Sequence, residues 1–246
     1  MSPDPLRPLA ELEGVPSGMA AARDAVDALL RDRGLRRSGP DVTGESLLRG
    51  ASASARLEGS DYDVDQLRRG AGDVTAQAAL RLAGQGLGVL PDWKVATVQG
   101  LARLHTIAAS GTLPSDQLGR PLSVEAAKRL AGLARTVAAS RRADEPVPGM
   151  VLAAVVHAEV ATAGAFASHN GLIARLATRL VLIERAVDPA SVTVPEAGHL
   201  ALRDDYVLGL AAYASGRPEG VHRWLLHCTQ AFAAGAEAAA DLVGRG

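Results

Sequence analysis

The chain has 246 residues, which is enough to bury a sizeable core as one large domain or two small ones. Its 26 basic and 27 acidic residues give a formal net charge of -1, so no basic surplus indicates nucleic acid as a partner. Hydrophobic residues make up 48% and aromatic residues only 3%, so the core must consist mainly of Ala, Leu and Val, which favours packed helices over a sheet.

The single cysteine, Cys228, lies in an apolar run and has no second cysteine to pair with, so we predict a buried, inert thiol. The segment from Met1 to Pro16 lacks the basic start and apolar centre of a signal peptide. The sequence has no run of about 18 uncharged apolar residues, so we expect no membrane-spanning segment and no membrane partner. A cytoplasmic location is the resulting expectation.

In the N-terminal half, residues 1–16 are predicted to be a loose lead-in. A helix is predicted from Ser17, a good N-cap, to about Arg33, ended by Gly34 and a Ser38-Gly39-Pro40 turn. A second helix spans about 44–57 and stops at Glu58-Gly59. The further predicted elements, in chain order, are a glycine-interrupted helical region over Val64–Leu87, a Leu90-Pro91-Asp92 break and a helix over Trp93–Ala109.

In the C-terminal half, residues 112–122 form the longest irregular connection, and Ser123 caps a helix that runs to about Ala139. A helix that is apolar almost all round, as expected of a central buried helix, covers Val147–Ala163. The remaining helices are predicted over Gly171–Ala186, Asp204–Ala214 and Pro218–Val243. Apart from Ser191–Val194, no alternating strand pattern is longer than four residues, so the sequence predicts an all-α fold.

The most informative stretch lies between the two apolar helices and reads Gly164-Ala165-Phe166-Ala167-Ser168-His169-Asn170-Gly171-Leu172-Ile173-Ala174-Arg175. It resembles the signature of the Fic family of AMP-transferases, His-Pro-Phe-x-(Asp/Glu)-Gly-Asn-Gly-Arg-x-x-Arg. Phe166, Asn170, Gly171 and Arg175 are in register with that pattern.

Other stretches extend the resemblance over roughly residues 44–240. Ser54 to Gly59 resembles the inhibitory helix of the family, (Ser/Thr)-x-x-x-Glu-(Gly/Asn), and Leu101 to His105 resembles a Leu-His helix upstream of the signature. Tyr206 to Ala236 resembles the C-terminal helical pair. Gly119-Arg120 matches the flap of the family, although the same residues are equally consistent with a plain turn. The implied organisation is an N-terminal helical extension over residues 1–40 and a single Fic-like domain over residues 41–246.

In the Fic family a helix–loop–helix holds ATP, and the loop backbone and the start of the second helix bind its phosphates. The resemblance therefore implies nucleotide or phosphate binding by Asn170, Gly171 and Arg175. ATP or another nucleotide, without a tightly bound metal, is the implied ligand. Independently of the family, Asn170 is also a suitable N-cap for the helix that follows it.

Four reactive positions depart from the signature: Gly164 replaces the catalytic His, Ser168 the metal-binding acid, His169 the first Gly and Leu172 the first Arg. Gly164 has no side chain to accept a proton, and neutral Ser168 is a poor Mg²⁺ ligand compared with a carboxylate. General-base catalysis contributes about 10²–10⁴-fold, so we expect no ordinary AMP transfer, no catalytic residue and no metal ligand. As an ordinary structural feature, Gly164 is also a typical helix C-cap.

The position of Glu58 matches the inhibitory glutamate of the family, which pairs with the second Arg of the signature. The resemblance therefore predicts a bond from Glu58 to Arg175 across the nucleotide site, with Ser54 on the same helix. Such a pair is either a structural clamp or a switch that a ligand displaces.

Three functions remain open at this point. The first is a degenerate Fic protein that binds a nucleotide, a phosphate-bearing ligand or a protein partner. The second is a divergent transferase, for which His169 is the only nearby candidate base. The third is a structural or regulatory module that forms a homodimer. The other histidines show no metal-ligand spacing, and His157 is predicted to be a satisfied core imidazole.

Overall fold

The computed structural model describes residues 3–32 and 35–243, and no β-strand occurs in those two ranges. A short 3₁₀-helix covers Gly86–Val89. The α-helices, in chain order, are α1 (Arg7–Ala10), α2 (Val15–Leu30), α3 (Leu35–Leu57), α4 (Val64–Arg68), α5 (Val74–Gln85), α6 (Leu90–Val95), α7 (Thr97–Ala109), α8 (Val124–Arg142), α9 (Gly149–Ala163), α10 (Asn170–Glu184), α11 (Pro195–Ala201), α12 (Arg203–Ala214), α13 (Pro218–Glu237) and α14 (Ala240–Val243). The predicted all-α fold is confirmed.

The centre of the fold is the helix pair α9 and α10. Every residue of α9 from 150 to 158 and every residue of α10 from 172 to 182 is buried. Such all-round burial follows from a sequence that is apolar on all faces, and α12 and α13 cover α9 while α3, α5 and α7 cover α10. The predicted central helix and its partner are therefore confirmed, with slightly shorter bounds. The two tryptophans, Trp93 and Trp224, are fully buried.

The prediction of a loose N-terminal lead-in is wrong. Asp4 is buried, and its carboxylate accepts hydrogen bonds from the Ser140 hydroxyl at 2.6 Å and from the backbone N–H groups of Leu6 and Val147 at 2.9 and 3.0 Å. Burial alone would raise the pKa of Asp4, but these hydrogen bonds outweigh it and lower the pKa. The segment is thus fixed to the end of α8 and the start of α9 by one buried carboxylate.

The predicted Ser38-Gly39-Pro40 turn is also wrong, because these residues lie inside α3. Pro40 removes one helical hydrogen bond, and further along the helix the buried Ser46 hydroxyl donates to the Thr193 carbonyl at 2.6 Å, which anchors α3. The predicted domain boundary after residue 40 falls within this helix, and α2 packs against α13. The predicted end of the first helix at Arg33 and Gly34 lies outside the described residues, and α2 ends at Leu30.

The structure differs from the sequence prediction in smaller ways where a short sequence pattern is compatible with two local structures. Leu90-Pro91-Asp92 is the first turn of α6 rather than a break, because proline is tolerated there. Residues 191–194 form no strand, since the Asp188 carboxylate binds the N–H groups of Val192 and Thr193 at 3.0 and 2.8 Å and turns the chain. The helix α11 was not predicted. In contrast, the Ser123 cap is confirmed by a bond from the Ala126 N–H to its hydroxyl at 3.1 Å.

Candidate functional site

The signature stretch forms the connection between α9 and α10. Gly164 ends α9 in the left-handed conformation, with φ 53° and ψ 35°, as its C-cap interpretation predicts. His169 precedes α10 with φ 59°, a conformation that a non-glycine residue adopts at some cost. The predicted helix–loop–helix is therefore present, and its two ends are fixed by backbone geometry.

The side chain of Asn170 closes this loop. Its amide nitrogen donates to the Phe166 carbonyl at 2.8 Å, and its oxygen accepts from the Phe166 N–H at 3.0 Å. The prediction that Asn170 is the N-cap of α10 is wrong, because His169 holds that position and Asn170 is the first helical residue. Asn170 therefore shapes the loop from inside rather than capping the helix.

Phe166 joins the loop to the segment that resembles the flap. Its ring stacks on the His105 imidazole, with centroids 4.6 Å apart. The Nδ1 atom of His105 accepts the Gly119 N–H at 2.9 Å, and the Leu122 N–H donates to the Ala165 carbonyl at 2.8 Å. Gly119 and the exposed Arg120 thus lie on a segment that is bonded to the signature loop on one side and to α7 on the other.

Glu58 and Arg175 form the predicted ion pair. The Arg175 Nη2 atom lies 2.6 Å from the Glu58 Oε1 atom. The Arg175 side chain is 1% exposed and the Glu58 side chain 35% exposed, so the pair has one buried and one solvent-facing member. A Cβ atom on Gly171 would collide with the Glu58 carboxylate, which therefore lies directly against the first turn of α10.

Arg175 makes three further hydrogen bonds. Nε donates to the Ser54 hydroxyl at 2.6 Å, Nη2 donates to the Ser54 carbonyl at 3.1 Å, and Nη1 donates to the Tyr206 hydroxyl at 2.7 Å. Burial would lower the pKa of Arg175, but Tyr206 and Glu58 raise it, so the guanidinium stays charged. The sequence motif indicates Glu58, with Ser54 on the same helix, as facing Arg175. It does not indicate Tyr206 as a partner of Arg175.

A second arginine, one turn further along α10, shows a different kind of ion pair. Arg179 binds Glu196 with two hydrogen bonds of 2.7 Å each, and the two side chains are 2% and 5% exposed. Arg179 also donates to the Ser46 hydroxyl at 3.2 Å. This pair is bidentate and enclosed, whereas the Arg175–Glu58 pair has a single hydrogen bond and an open side.

The positions that depart from the signature differ in their surroundings. Leu172 is 2% exposed and lines a small cavity together with Leu82 and Leu176. The Ser168 hydroxyl oxygen is buried and has no hydrogen-bond partner among the described residues. Burial, and then the charge of Arg81, lowers the pKa of His169, while Glu58 opposes this effect. Its imidazole is therefore neutral near pH 7.

Three further imidazoles lie behind the site, on the far side of Tyr206. The His157 Nε2 atom lies 3.1 Å from the Tyr206 hydroxyl, and the His199 Nδ1 atom lies 3.0 Å from the His227 Nε2 atom. Burial lowers the pKa of all three, with neighbouring charges adding to it for His157 and His199. The interpretation of His157 as a satisfied core imidazole is confirmed.

Within residues 3–32 and 35–243, no group of three or more His, Cys, Asp or Glu side chains is arranged to hold a metal ion. In the same part of the chain, no helix is both long and apolar enough to cross a bilayer. Cys228 is buried, and burial raises the pKa of its thiol, as expected of an inert cysteine. A groove of about 600 Å³ lies on the outer face of α3, and its walls contain none of the signature residues.

The arrangement of these helices around the loop is that of the Fic fold. A Fic family protein from Desulfovibrio desulfuricans G20 superposes with a TM-score of 0.75 at 16% identity, covering 98% of this chain and 77% of its own. Fic-1 from C. elegans superposes with a TM-score of 0.63 at 16% identity, covering 96% and 73%, and a variant of Fic-1 gives 0.64. No family model matches the sequence, and no curated protein matches it either. The likeness is therefore one of fold, and the chemistry has to be argued from the residues of this chain.

Proposed function

We propose that this Fic-fold protein lacks ordinary AMP transfer and binds a phosphate-bearing ligand at its signature loop when Glu58 moves away. The observation that supports this most is the position of the Glu58 carboxylate. It lies against Gly171 at the N-terminal end of a 15-residue helix and on the guanidinium of Arg175. A helix N-terminus together with an arginine is the environment that an anionic oxygen prefers, so Glu58 occupies the place of a ligand oxygen.

The loss of transfer follows from what the loop lacks. Gly164 has open space around its Cα atom but no group that accepts a proton. Ser168 is uncharged, and Leu172 is part of the interior. A general base and a metal ion each contribute several powers of ten to phosphoryl chemistry, so losing both removes ordinary catalysis.

Three features favour the release of Glu58. It lies one residue beyond the end of α3, in a turn followed by Gly59 at φ 91°, so it can move without unwinding the helix. Its carboxylate is partly in solvent, where a competing anion can approach. It makes a single hydrogen bond to Arg175, whereas the enclosed Arg179–Glu196 pair makes two. A partly exposed partner with one hydrogen bond is exchanged more readily than an enclosed, bidentate one, and the bonds of Arg175 to Ser54 and Tyr206 remain when Glu58 leaves.

A structural clamp is the second candidate, because Arg175 makes four hydrogen bonds and three of them join α10 to α3 and to the turn that follows it. In that case the pair only holds helices together. A divergent transferase that uses the neutral His169 as its base is the third candidate, and it needs a donor that reacts without the usual metal-binding acid.

The test is a thermal-shift panel on the wild-type protein, on Glu58→Ala and on Glu45→Ala. Glu45 is the matched control, since it lies on the outer face of α3, the helix that precedes Glu58, and pairs with Arg68 at 2.7 Å. ATP, ADP, AMP and inorganic phosphate are added with and without Mg²⁺. We expect stabilisation of Glu58→Ala by at least one of these, weaker or no stabilisation of the wild type and of Glu45→Ala, and no dependence on Mg²⁺.

A lower melting temperature of Glu58→Ala with no response to any ligand would support the clamp instead. A parallel assay uses ATP labelled at the α-phosphate with protein extracts as acceptors. Robust labelling of any protein would contradict the proposal and favour the transferase.

A further inference from the structure

We propose that Tyr206, held by His157, is a positioning residue of the anion site: it fixes Arg175 so that only the bond to Glu58 is exchangeable. The inference rests on the function proposed above. It concerns four side chains that are nearly inaccessible to water: Tyr206 is 5% exposed, and Arg175, His157 and Thr178 are each 1% exposed.

The hydrogen bonds among these groups run in one direction. The Thr178 hydroxyl lies 3.0 Å from the Ala174 carbonyl, which only accepts, so its proton goes there. The Thr178 oxygen is then free to accept from the His157 Nδ1–H at 3.3 Å, and the His157 Nε2 atom accepts from Tyr206 at 3.1 Å. The Tyr206 oxygen in turn accepts from Arg175 Nη1 at 2.7 Å. With the other imidazole tautomer, the phenol proton of Tyr206 would have no acceptor in this buried chain.

The protonation states of the two central groups agree with this order. Burial, and then Arg175 and His227, lowers the pKa of His157, so the imidazole is neutral and has a lone pair for Tyr206. Burial raises the pKa of Tyr206 despite the opposing charge of Arg175, so the phenol keeps the proton that it donates. Tyr206 therefore presents its oxygen lone pairs to Arg175.

The consequence concerns what an incoming ligand can reach. Three of the four hydrogen bonds of Arg175 go to Ser54 and Tyr206, and these partners stay in place when Glu58 leaves. Tyr206 supplies the only bond of Nη1 among the described residues. Without it, the guanidinium is held through Nε and Nη2 alone, next to the atoms that must bind the anion. A guanidinium fixed in this way can donate a hydrogen bond from Nη2 to one oxygen of a phosphate, or of a similar oxyanion, at the place of Glu58 Oε1.

The experiment compares Tyr206→Phe with Tyr213→Phe. Tyr213 lies on the same helix, two turns further along, is 8% exposed and donates to the Glu159 carboxylate at 2.8 Å, away from Arg175. Both substitutions remove one phenol hydroxyl; in Tyr206→Phe the bonds to Arg175 and His157 are lost, and in Tyr213→Phe the bond to Glu159 is lost. The first readout is ¹⁵N NMR of the Arg175 side chain, where separate Nη signals report restricted rotation. The second is calorimetric titration with inorganic phosphate in the Glu58→Ala background.

We expect Tyr206→Phe to broaden or merge the Arg175 Nη signals and to weaken phosphate binding by about five- to tenfold, the loss of about one hydrogen bond. Tyr213→Phe should change neither. If Tyr206→Phe gives the same Nη signals and the same phosphate affinity as Tyr213→Phe, the positioning role is overturned.

Two further outcomes are separable. If Glu58→Ala binds no phosphate, the proposed function fails, and the NMR signals of Arg175 alone decide whether Tyr206 positions it. If Tyr206→Phe does not fold, His157→Gln and His157→Leu replace it, because glutamine retains an acceptor for Tyr206 and leucine does not. Restricted Arg175 signals in the Gln variant and averaged signals in the Leu variant support the inference, and equal signals in both contradict it.

Discussion

Acidification from pH 7 to pH 4 should destabilise the fold through the buried imidazoles of His157, His199 and His227. They are 1%, 1% and 5% exposed. Each pKa is lowered chiefly because burial disfavours the charged form. In the unfolded chain the same side chains return to a pKa of about 6.5. Below that value the unfolded chain binds more protons than the folded one, so the free energy of unfolding decreases as the pH falls.

His227 gives the magnitude, since its pKa in the fold is about 4. Compared with about 6.5 when unfolded, this corresponds to about 3 kcal/mol of stability that is fully present above pH 6.5 and lost between pH 6.5 and 4. About 2 kcal/mol of this should be gone at pH 5. His157 and His199 act in the same direction and over a range that starts at the same pH.

The assay is urea unfolding followed by circular dichroism at pH 7, 6 and 5. His227→Gln removes one titrating group while its amide can still meet His199, and His222→Gln is the control, because His222 bonds the Glu13 carbonyl at the surface. The difference in stability between pH 7 and pH 5 should be about 2 kcal/mol smaller in His227→Gln than in the wild type, and unchanged in His222→Gln. If all three proteins lose the same stability, the assignment of His227 as a buried neutral imidazole is refuted.

Other substitutions test the packing around the loop. Gly171→Ala should destabilise the wild type, because the new Cβ meets the Glu58 carboxylate, but it should be tolerated in Glu58→Ala. A double-mutant cycle of unfolding free energies should therefore show strong coupling between the two positions. Additive effects would contradict the contact. Glu196→Gln should lower the free energy of unfolding by about 3–5 kcal/mol, since it leaves the buried Arg179 charge without its partner. A loss below about 1 kcal/mol in chemical denaturation would show that the pair is not enclosed. Asn170→Ala should lower the free energy of unfolding by about 1–2 kcal/mol, because it removes both hydrogen bonds to Phe166. Asn170→Asp should lose only the hydrogen bond that the amide donates. Equal stability of the two variants would argue against the loop geometry. Restoring the four reactive positions with Gly164→His, Ser168→Asp, His169→Gly and Leu172→Arg should give at most partial transfer of labelled AMP, because position 172 faces the interior and an arginine there must be buried. Full transfer would mean that the scaffold remained ready for catalysis.

The sequence was sufficient for elements whose signals are local and strong. The continuous apolar run of α9 predicts a helix buried on all sides, and Ser123 identifies the start of α8 because its hydroxyl caps the helix that follows. The Glu58–Arg175 bond was also predicted, although the two residues are 117 positions apart, because both fall within motifs that resemble those of one family.

The sequence was insufficient where a residue acts through a distant partner. Asp4 looks like part of a flexible terminus until Ser140 and Val147 are brought to it. Tyr206 has no spacing that links it to Arg175 or His157, which lie 31 and 49 positions away. The available sequence signal for Tyr206 is compositional: tyrosine is rare in this chain, and Tyr206 follows two acidic residues in a mostly apolar helix. The helix α11 is short and begins at a proline, so its seven residues have too little periodicity to be recognised.

The most direct test of the account is a crystal structure of Glu58→Ala grown with inorganic phosphate and, separately, with ATP in the absence of metal. We predict a phosphate group at the start of α10, with one oxygen next to Gly171 and within hydrogen-bonding distance of Arg175 Nη2, where the Glu58 carboxylate lies in the wild type. An empty position, or a phosphate that binds only elsewhere on the surface, would contradict the claim that Glu58 occupies an anion site.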